Sequence, residues 1–115
     1  MADPILNLLV EVVSVQGHCP VYRVGDHFVI RKGHQLEADR PLCMHALQAL
    51  CPYYVPLSRG IHPADVGLAG PQGAAYVQCM DPMRYTGGGT VTFRIRQEEK
   101  LAPRRFPLTA ARPLP

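Results

Sequence analysis

Four cysteines are the residues of this sequence best suited to chemistry: Cys19, Cys43, Cys51 and Cys79. Long intervals separate them and no Cys-x-x-Cys pair occurs, so the spacing is not that of a zinc ribbon or a thioredoxin motif. Cysteines dispersed in this way form a site only where the fold brings distant elements together.

Three of the four cysteines lie where predicted elements begin or end. Cys19 follows the first predicted strand, Cys43 lies at the start of the predicted helix, and Cys79 ends the third strand. Ends of elements converge in space more readily than positions within one element, and a helix N-terminus favours a thiolate. Three thiolates with one further ligand suit tetrahedral zinc or an iron–sulfur cluster. We therefore predict a zinc or iron site at these three cysteines.

The fourth ligand is open among four candidates: His45, Cys51, His18 and His62. On a regular helix, His45 would lie about 200° around the axis from Cys43, so both could not point inward. Cys51 lies about two turns along the same predicted helix, too far from Cys43 to share one ion. The spacing therefore favours none of the four.

Two other interpretations of the cysteines remain open. Free cysteines are often buried core residues with no ligand. Alternatively, Cys43 is a nucleophile with His45 or His18 as its base, which requires the two groups to lie within hydrogen-bond reach. Asp26 and Asp81 lie beside turns and are interpreted as turn or cap residues. No acid/base pair is evident, so we expect the chain not to be an enzyme on its own.

The apolar pattern predicts the elements that must position these residues. Thr90–Arg96 alternates as a strand with one face buried and one in water. Pro41 suits a helix start, whereas Pro52 and Pro56 should stop or kink the helix. Gly87–Gly89 is interpreted as a hairpin connection and not a phosphate loop, because a strand and not a helix follows it. The remaining predicted elements are strands at 5–16, His27–Arg31 and Ala74–Met80, a helix at 42–51, and loops at His34–Arg40 and Ser58–Gly73.

These elements predict an α+β fold. The sheet should be mostly antiparallel with about four strands, with curling toward a barrel left open, and one main helix should cross it. The 115 residues suit one domain, 1–100, followed by an extended tail, 101–115. The tail carries four prolines and three arginines, a composition that cannot build a core. We expect it to lie on a partner, a larger enzyme subunit or an identical chain, through Arg104, Arg105, Phe106 and Arg112.

The net charge and the apolar runs of the sequence indicate the cellular compartment and the class of partner. The formal net charge of +3 is too small to indicate nucleic acid by itself, and no apolar run is long enough to span a membrane. The chain shows no basic leader with a long apolar run, so we predict a cytoplasmic protein. In that reducing compartment structural disulfides are rare.

Four short motifs in a fixed order resemble a known family: Gly17-His18-Cys19-Pro20, Val24-Gly25-Asp26, Cys43 with Pro52-Tyr53, and Cys79-Met80-Asp81-Pro82. Over residues 8–96 the chain is similar to a family of small prokaryotic proteins, about ninety residues long, that has no assigned function. The resemblance implies that Cys19, Cys43 and Cys79 recur across the family. It implies no reaction. This chain has Met44, Gln48 and Cys51 where the family tends to have proline, histidine and an aromatic residue.

The function we expect is that of a small accessory or interaction subunit of a larger metabolic enzyme complex, with a cysteine-based zinc or iron site. The alternatives are a thiol- or metal-dependent redox enzyme that uses Cys43, or a homo-oligomeric structural protein with buried, unliganded cysteines.

Overall fold

Five antiparallel strands and one long helix make up most of residues 5–99, the part of the chain that this computed structural model describes. The strands are β1 (Asn7–Gly17), β2 (His27–Arg31), β3 (Gln35–Glu37), β4 (Ala75–Gln78) and β5 (Gly89–Glu98), and the helices are α1 (Met44–Ser58) and the short α2 (Met83–Thr86). The strand order is β3-β2-β1-β5-β4. The predicted α+β class is confirmed. The sheet has five strands and is open, with β3 and β4 at its two edges.

The two long strands at the centre of the sheet hold most of the core. In β5, Val91, Phe93 and Ile95 are buried, and the residues between Val91 and Ile95 are partly exposed, as the alternation predicts. Val10 of β1 pairs with Ile95, so both side chains lie on the face that α1 covers. The opposite face carries charged side chains beside the buried Leu9 and Val29. There Glu11 forms ion pairs of 3.2 Å with Arg94 and Arg96.

One short strand lies inside the predicted loop at His34–Arg40. β3 pairs with β2 across a turn in which Lys32 and Gly33 both have positive φ, 56° and 79°. Arg31 and Glu37 then form an ion pair between the two strands, with Nε and Oε2 2.5 Å apart. Three residues are too few to show a period, so pairing with β2, and not the local pattern, makes this segment a strand.

The helix continues past the two prolines that were expected to stop or kink it. Its buried face extends beyond them, because Leu50 and Leu57 lie two turns apart and are 2% and 0% exposed. Pro52 lies on the exposed side of the helix and has no N–H to donate to the carbonyl of Gln48. Gln48 is exposed too, so its carbonyl can bond water instead. Burial of the apolar face therefore outweighs the cost of the prolines.

Within residues 5–99, no helix combines the length and the apolar character needed to cross a lipid bilayer. The predicted partner-binding residues Arg104, Arg105, Phe106 and Arg112 lie outside the described residues, as does the whole segment 101–115.

Candidate functional site

Three cysteines that are far apart in sequence line one small cavity. Cys19 follows β1, Cys43 precedes α1, and Cys79 follows β4. We call this cavity the cysteine pocket; its volume is about 130 Å³, and its wall includes Cys19, Tyr22, Cys43, His45, Cys79 and Asp81. The predicted convergence of Cys19, Cys43 and Cys79 on one place in the fold is therefore observed.

Antiparallel pairing brings the ends of these elements to one edge of the molecule. The last residue of β1, Gly17, pairs with Gly89, the first residue of β5. The last residue of β4, Gln78, pairs with Thr92 near the same end of β5. The segments that leave β1 and β4 therefore begin on either side of the first residues of β5, and Cys43, at the N-terminus of α1, lines the same cavity.

Cys19 lies in a tight turn close to the start of β5. The backbone N–H of Tyr22 donates a hydrogen bond to Cys19 Sγ, with N and S 3.3 Å apart. The backbone of Gly89 approaches so closely that a Cβ on Gly89 would lie 2.6 Å from Cys19 N. A glycine at this position is therefore what allows the Cys19 turn to pack on β5.

Cys79 is the most buried of the three cysteines, at 7% exposure. Its sulfur accepts a hydrogen bond from the backbone N–H of Val91 at 3.2 Å. The thiol donates towards the carbonyl oxygen of Gly89, 3.7 Å away. Both partners belong to β5, so the strand fixes the position of this sulfur.

Cys43 is the residue immediately before the first helical residue of α1. Its backbone is extended, with φ −84° and ψ 127°, and its side chain caps no helical N–H. Rotation of about 100° per residue applies only within a helix, so the argument that separated His45 from Cys43 does not hold. Both residues line the cysteine pocket, with His45 exposed and Cys43 half-buried.

Tyr22 is a pocket residue that the sequence reasoning missed. It is 3% exposed, and its ring packs edge-to-face on Phe93 with centroids 5.3 Å apart. Its hydroxyl oxygen accepts the backbone N–H of Cys43 at 3.0 Å. Tyr22 therefore connects two of the cysteines, through its N–H to Cys19 Sγ and through its hydroxyl to Cys43. The feature of the sequence that could have identified Tyr22 as a pocket residue is its position three residues after Cys19.

The pKa of Tyr22 is raised from its ordinary value. Burial is the largest cause, because it disfavours the charged phenolate. The hydrogen bond from Cys43 N–H acts in the opposite direction, and the charges of Cys43, Cys19 and Cys79 raise the pKa further. Tyr22 is therefore a neutral phenol at neutral pH, and its hydroxyl can donate a hydrogen bond.

The structure separates the other candidate ligands from the cysteine pocket, apart from His45. Cys51 lines a different groove, beside Leu36 and Tyr54. His62 Nδ1 accepts the backbone N–H of Ala64 at 3.0 Å and so caps a short 3-10 turn. His18 is exposed and is not part of the pocket wall.

The two aspartates act in turns, as expected. Asp81 lines the pocket, but its carboxylate accepts the hydroxyl of Thr86 and its carbonyl accepts that of Thr90, so it stabilises the turn before β5. Asp26 accepts the backbone N–H of Arg23 at 2.9 Å and pairs with Arg40 at 2.7 Å.

The cysteine pocket gathers the residues that would form a metal site without placing them at ligand distances. Within residues 5–99, no group of three or more His, Cys, Asp or Glu side chains is arranged to hold an ion.

Comparisons of the chain with protein-family models, with curated proteins and with solved structures give no match.

Proposed function

We propose that this chain is a small accessory subunit whose cysteine pocket binds one zinc or iron ion through Cys19, Cys43 and Cys79. The observation that carries the proposal is that three cysteines from three separate elements line one cavity. The same three residues also pack in or against the hydrophobic core, so the metal content of the protein decides between an ion site and a packing role.

Two of the three sulfurs have backbone donors beside them that a metal-bound sulfur could keep. Backbone N–H groups donate to Cys19 Sγ and to Cys79 Sγ. A hydrogen bond to the charged form stabilises it. Cys43 lies at the N-terminus of α1, where the helix dipole favours negative charge.

Metal binding would supply free energy to bring the three sulfurs into a common coordination sphere. Binding of a structural ion is coupled to the ordering of its ligands, and thiolate ligands release protons as they bind. Three thiolates with one further ligand match the tetrahedral preference of zinc. Of the four candidates for that further ligand, only His45 lines the cysteine pocket.

The test is elemental analysis of protein purified without a metal-affinity tag, together with its visible absorption spectrum. We expect about one zinc or iron per chain. Single changes Cys19→Ser, Cys43→Ser and Cys79→Ser should each lower metal content strongly. Cys51→Ser is the matched control, because Cys51 lies in the other groove, and it should retain the metal.

Two outcomes contradict the metal proposal. Protein free of metal under conditions that exclude oxidation would return the cysteines to a packing role. Loss of metal from Cys51→Ser equal to that from the pocket variants would show that binding is nonspecific. In metal-free protein, rapid alkylation of Cys43 below pH 8 would favour the alternative of a thiol-dependent enzyme, since only an exposed thiol of low pKa reacts there.

The accessory role predicts a partner for the proline- and arginine-rich segment 101–115. Residues of this composition bury little surface by themselves, so we propose that they bind a larger metabolic enzyme subunit. Deleting 101–115 should abolish assembly and leave the circular dichroism and melting temperature of the remaining domain unchanged. A truncated chain that still copurifies with the same partner, or that self-associates as the full chain does, contradicts this assignment.

A further inference from the structure

A groove between α1 and the edge strand β4 is lined by two tyrosines. We call it the tyrosine groove; its volume is about 430 Å³, against about 130 Å³ for the cysteine pocket. Its wall includes Tyr53, Leu68, Tyr76, Val77, Gln78 and Thr92. None of the described residues of this wall has a charged side chain, and Tyr53, Leu68 and Tyr76 are only half-buried. The groove therefore suits an uncharged, largely apolar occupant.

The outer edge of β4 is open beside this groove. The backbone N–H of Tyr76 donates to the carbonyl of Leu68 at 2.9 Å, away from β5. The N–H of Cys79 donates to Val91 of β5 at 2.8 Å. Because backbone groups alternate in direction along a strand, those of Gln78 point away from β5, as those of Tyr76 do. Within residues 5–99, no backbone group pairs with Gln78 on that side, so an extended segment in the groove can bond to it.

The same chain carries a segment of matching chemistry outside the described residues. Residues 101–115 include four prolines, and Phe106, Pro107 and Leu108 form an uncharged apolar run. Proline-rich segments have little conformational freedom to lose, and they bind in grooves lined by aromatic side chains. This run therefore fits the chemistry of the tyrosine groove.

The length of chain after β5 allows the apolar run to reach the groove. β5 ends at Glu98, six residues after Thr92 of the groove wall, a distance of about 20 Å along a strand. Pro107 lies nine residues after Glu98, and nine extended residues span about 28 Å. Pro103 lies only five residues after Glu98, about 16 Å, and falls short. The run that begins at Phe106 is therefore the part of the segment placed to enter the groove.

We propose that Phe106 and Pro107 occupy the tyrosine groove of their own chain when no partner holds segment 101–115. A segment tethered this close to its site has an effective concentration in the millimolar range, which favours its own groove over that of a second copy at micromolar protein. The inference does not depend on a metal ion. It goes beyond the proposed function, because a partner of segment 101–115 would have to displace the segment from the groove.

The test is trypsin cleavage of the Arg105–Phe106 bond in the full chain at room temperature, followed by mass spectrometry. The reference is a synthetic peptide of residues 99–115, which has no groove to bind. When docking exchanges rapidly, the cleavage rate reports the undocked fraction. We expect the full chain to be cleaved roughly tenfold more slowly than the peptide. Equal rates in the chain and the peptide would overturn the proposal.

Cleavage is a better measure of this docking than the melting temperature. The conformational entropy of the released segment weighs more at higher temperature, so docking of this strength is lost on heating before the domain unfolds. Deletion of the segment is therefore expected to change the cleavage pattern and not the melting temperature.

Two neighbouring tyrosines of α1 give a matched pair of variants. Tyr53 lines the tyrosine groove and Tyr54 lines the separate groove beside Cys51, and both are half-buried. Tyr53→Ala should raise the cleavage rate of the full chain nearly to that of the peptide, whereas Tyr54→Ala should leave it at the wild-type value. An equal rise in both variants would indicate a general loosening of the domain and would contradict docking in this groove.

A change outside the described domain keeps the test decisive even if Tyr53→Ala does not fold. Phe106→Ser alters no residue of 5–99, and its full chain, compared with its own peptide, should lose the protection. Protection that persists in Phe106→Ser overturns the assignment of this residue to the groove. Protection that is independent of protein concentration supports docking within one chain, whereas protection that disappears on dilution assigns the groove to a second copy and overturns the proposal.

Discussion

Two cavities of similar size, each lined by a cysteine and a histidine, occur in different parts of this molecule. The cysteine pocket has a volume of about 130 Å³. The second cavity, which we call the Cys51 groove, has about 140 Å³ and is lined by Ile30, His34, Leu36, Leu47, Leu50, Cys51 and Tyr54. Residue type alone would make both of them candidates for cysteine chemistry.

The two cavities differ in how the sulfur is surrounded. In the cysteine pocket, backbone N–H groups donate to two of the three sulfurs, and a buried hydroxyl lies among them. The Cys51 groove has one exposed thiol on the side of a helix, with mostly aliphatic neighbours. Its histidine, His34, lies 3.0 Å from the carbonyl oxygen of Lys32 through Nδ1. The cysteine pocket thus takes its sulfurs from the ends of three elements and gives two of them backbone donors, whereas the Cys51 groove takes its one sulfur from the side of a single helix.

The largest expected effect comes from adding a side chain at Gly89, where β5 packs closely against the backbone of Cys19. Gly89→Ala would place a Cβ 2.6 Å from Cys19 N and 2.7 Å from the carbonyl carbon of His18, both backbone atoms. We expect the free energy of unfolding to fall by about 2–3 kcal/mol, because overpacking against backbone cannot be relieved by rotating a side chain. Urea denaturation monitored by circular dichroism measures this.

The Cys51 groove provides an internal control for Gly89→Ala. At urea concentrations where the variant is folded, alkylation of Cys51 should proceed at the wild-type rate, while metal content falls. Unchanged metal content in the folded variant would contradict the view that the close approach of Gly89 and Cys19 builds the pocket.

A smaller effect is expected from changing a single sulfur in each cavity. Cys79→Ser replaces a buried sulfur that accepts Val91 N–H with a shorter, more polar hydroxyl, so metal-free protein should lose about 1–2 kcal/mol of unfolding free energy. Cys51→Ser changes an exposed side chain and should stay within about 0.5 kcal/mol of wild type. Equal losses in the two variants, measured by thermal denaturation without metal, would remove the distinction between the cavities.

Part of this fold follows from the local pattern of the sequence. The alternation at Thr90–Arg96 predicts β5, and His27–Arg31 is β2 with the same bounds. The pattern also placed Cys19, Cys43 and Cys79 at the ends of elements. These predictions succeed because strand period and turn residues act over a few neighbouring positions.

Other features depend on contacts that no local window contains. α1 continues past Pro52 because Leu57 is buried in the core, and β3 is a strand because β2 pairs with it. One hydrogen bond holds Tyr22 beside Cys43, although the two residues are 21 positions apart in the sequence. The helical-spacing argument that separated His45 from Cys43 was wrong, because the first helical residue is Met44, one position after Cys43.

The sequence by itself therefore determined the class of the fold and the three cysteines that could share a site. Only the tertiary structure decided that they line one cavity, that Cys51 lies apart from them, and that a buried phenol belongs to the same place. The physical reason is that periodicity and turn chemistry are local. A site assembled from the ends of β1, β4 and α1 depends on the register between strands and on the packing of the helix across them.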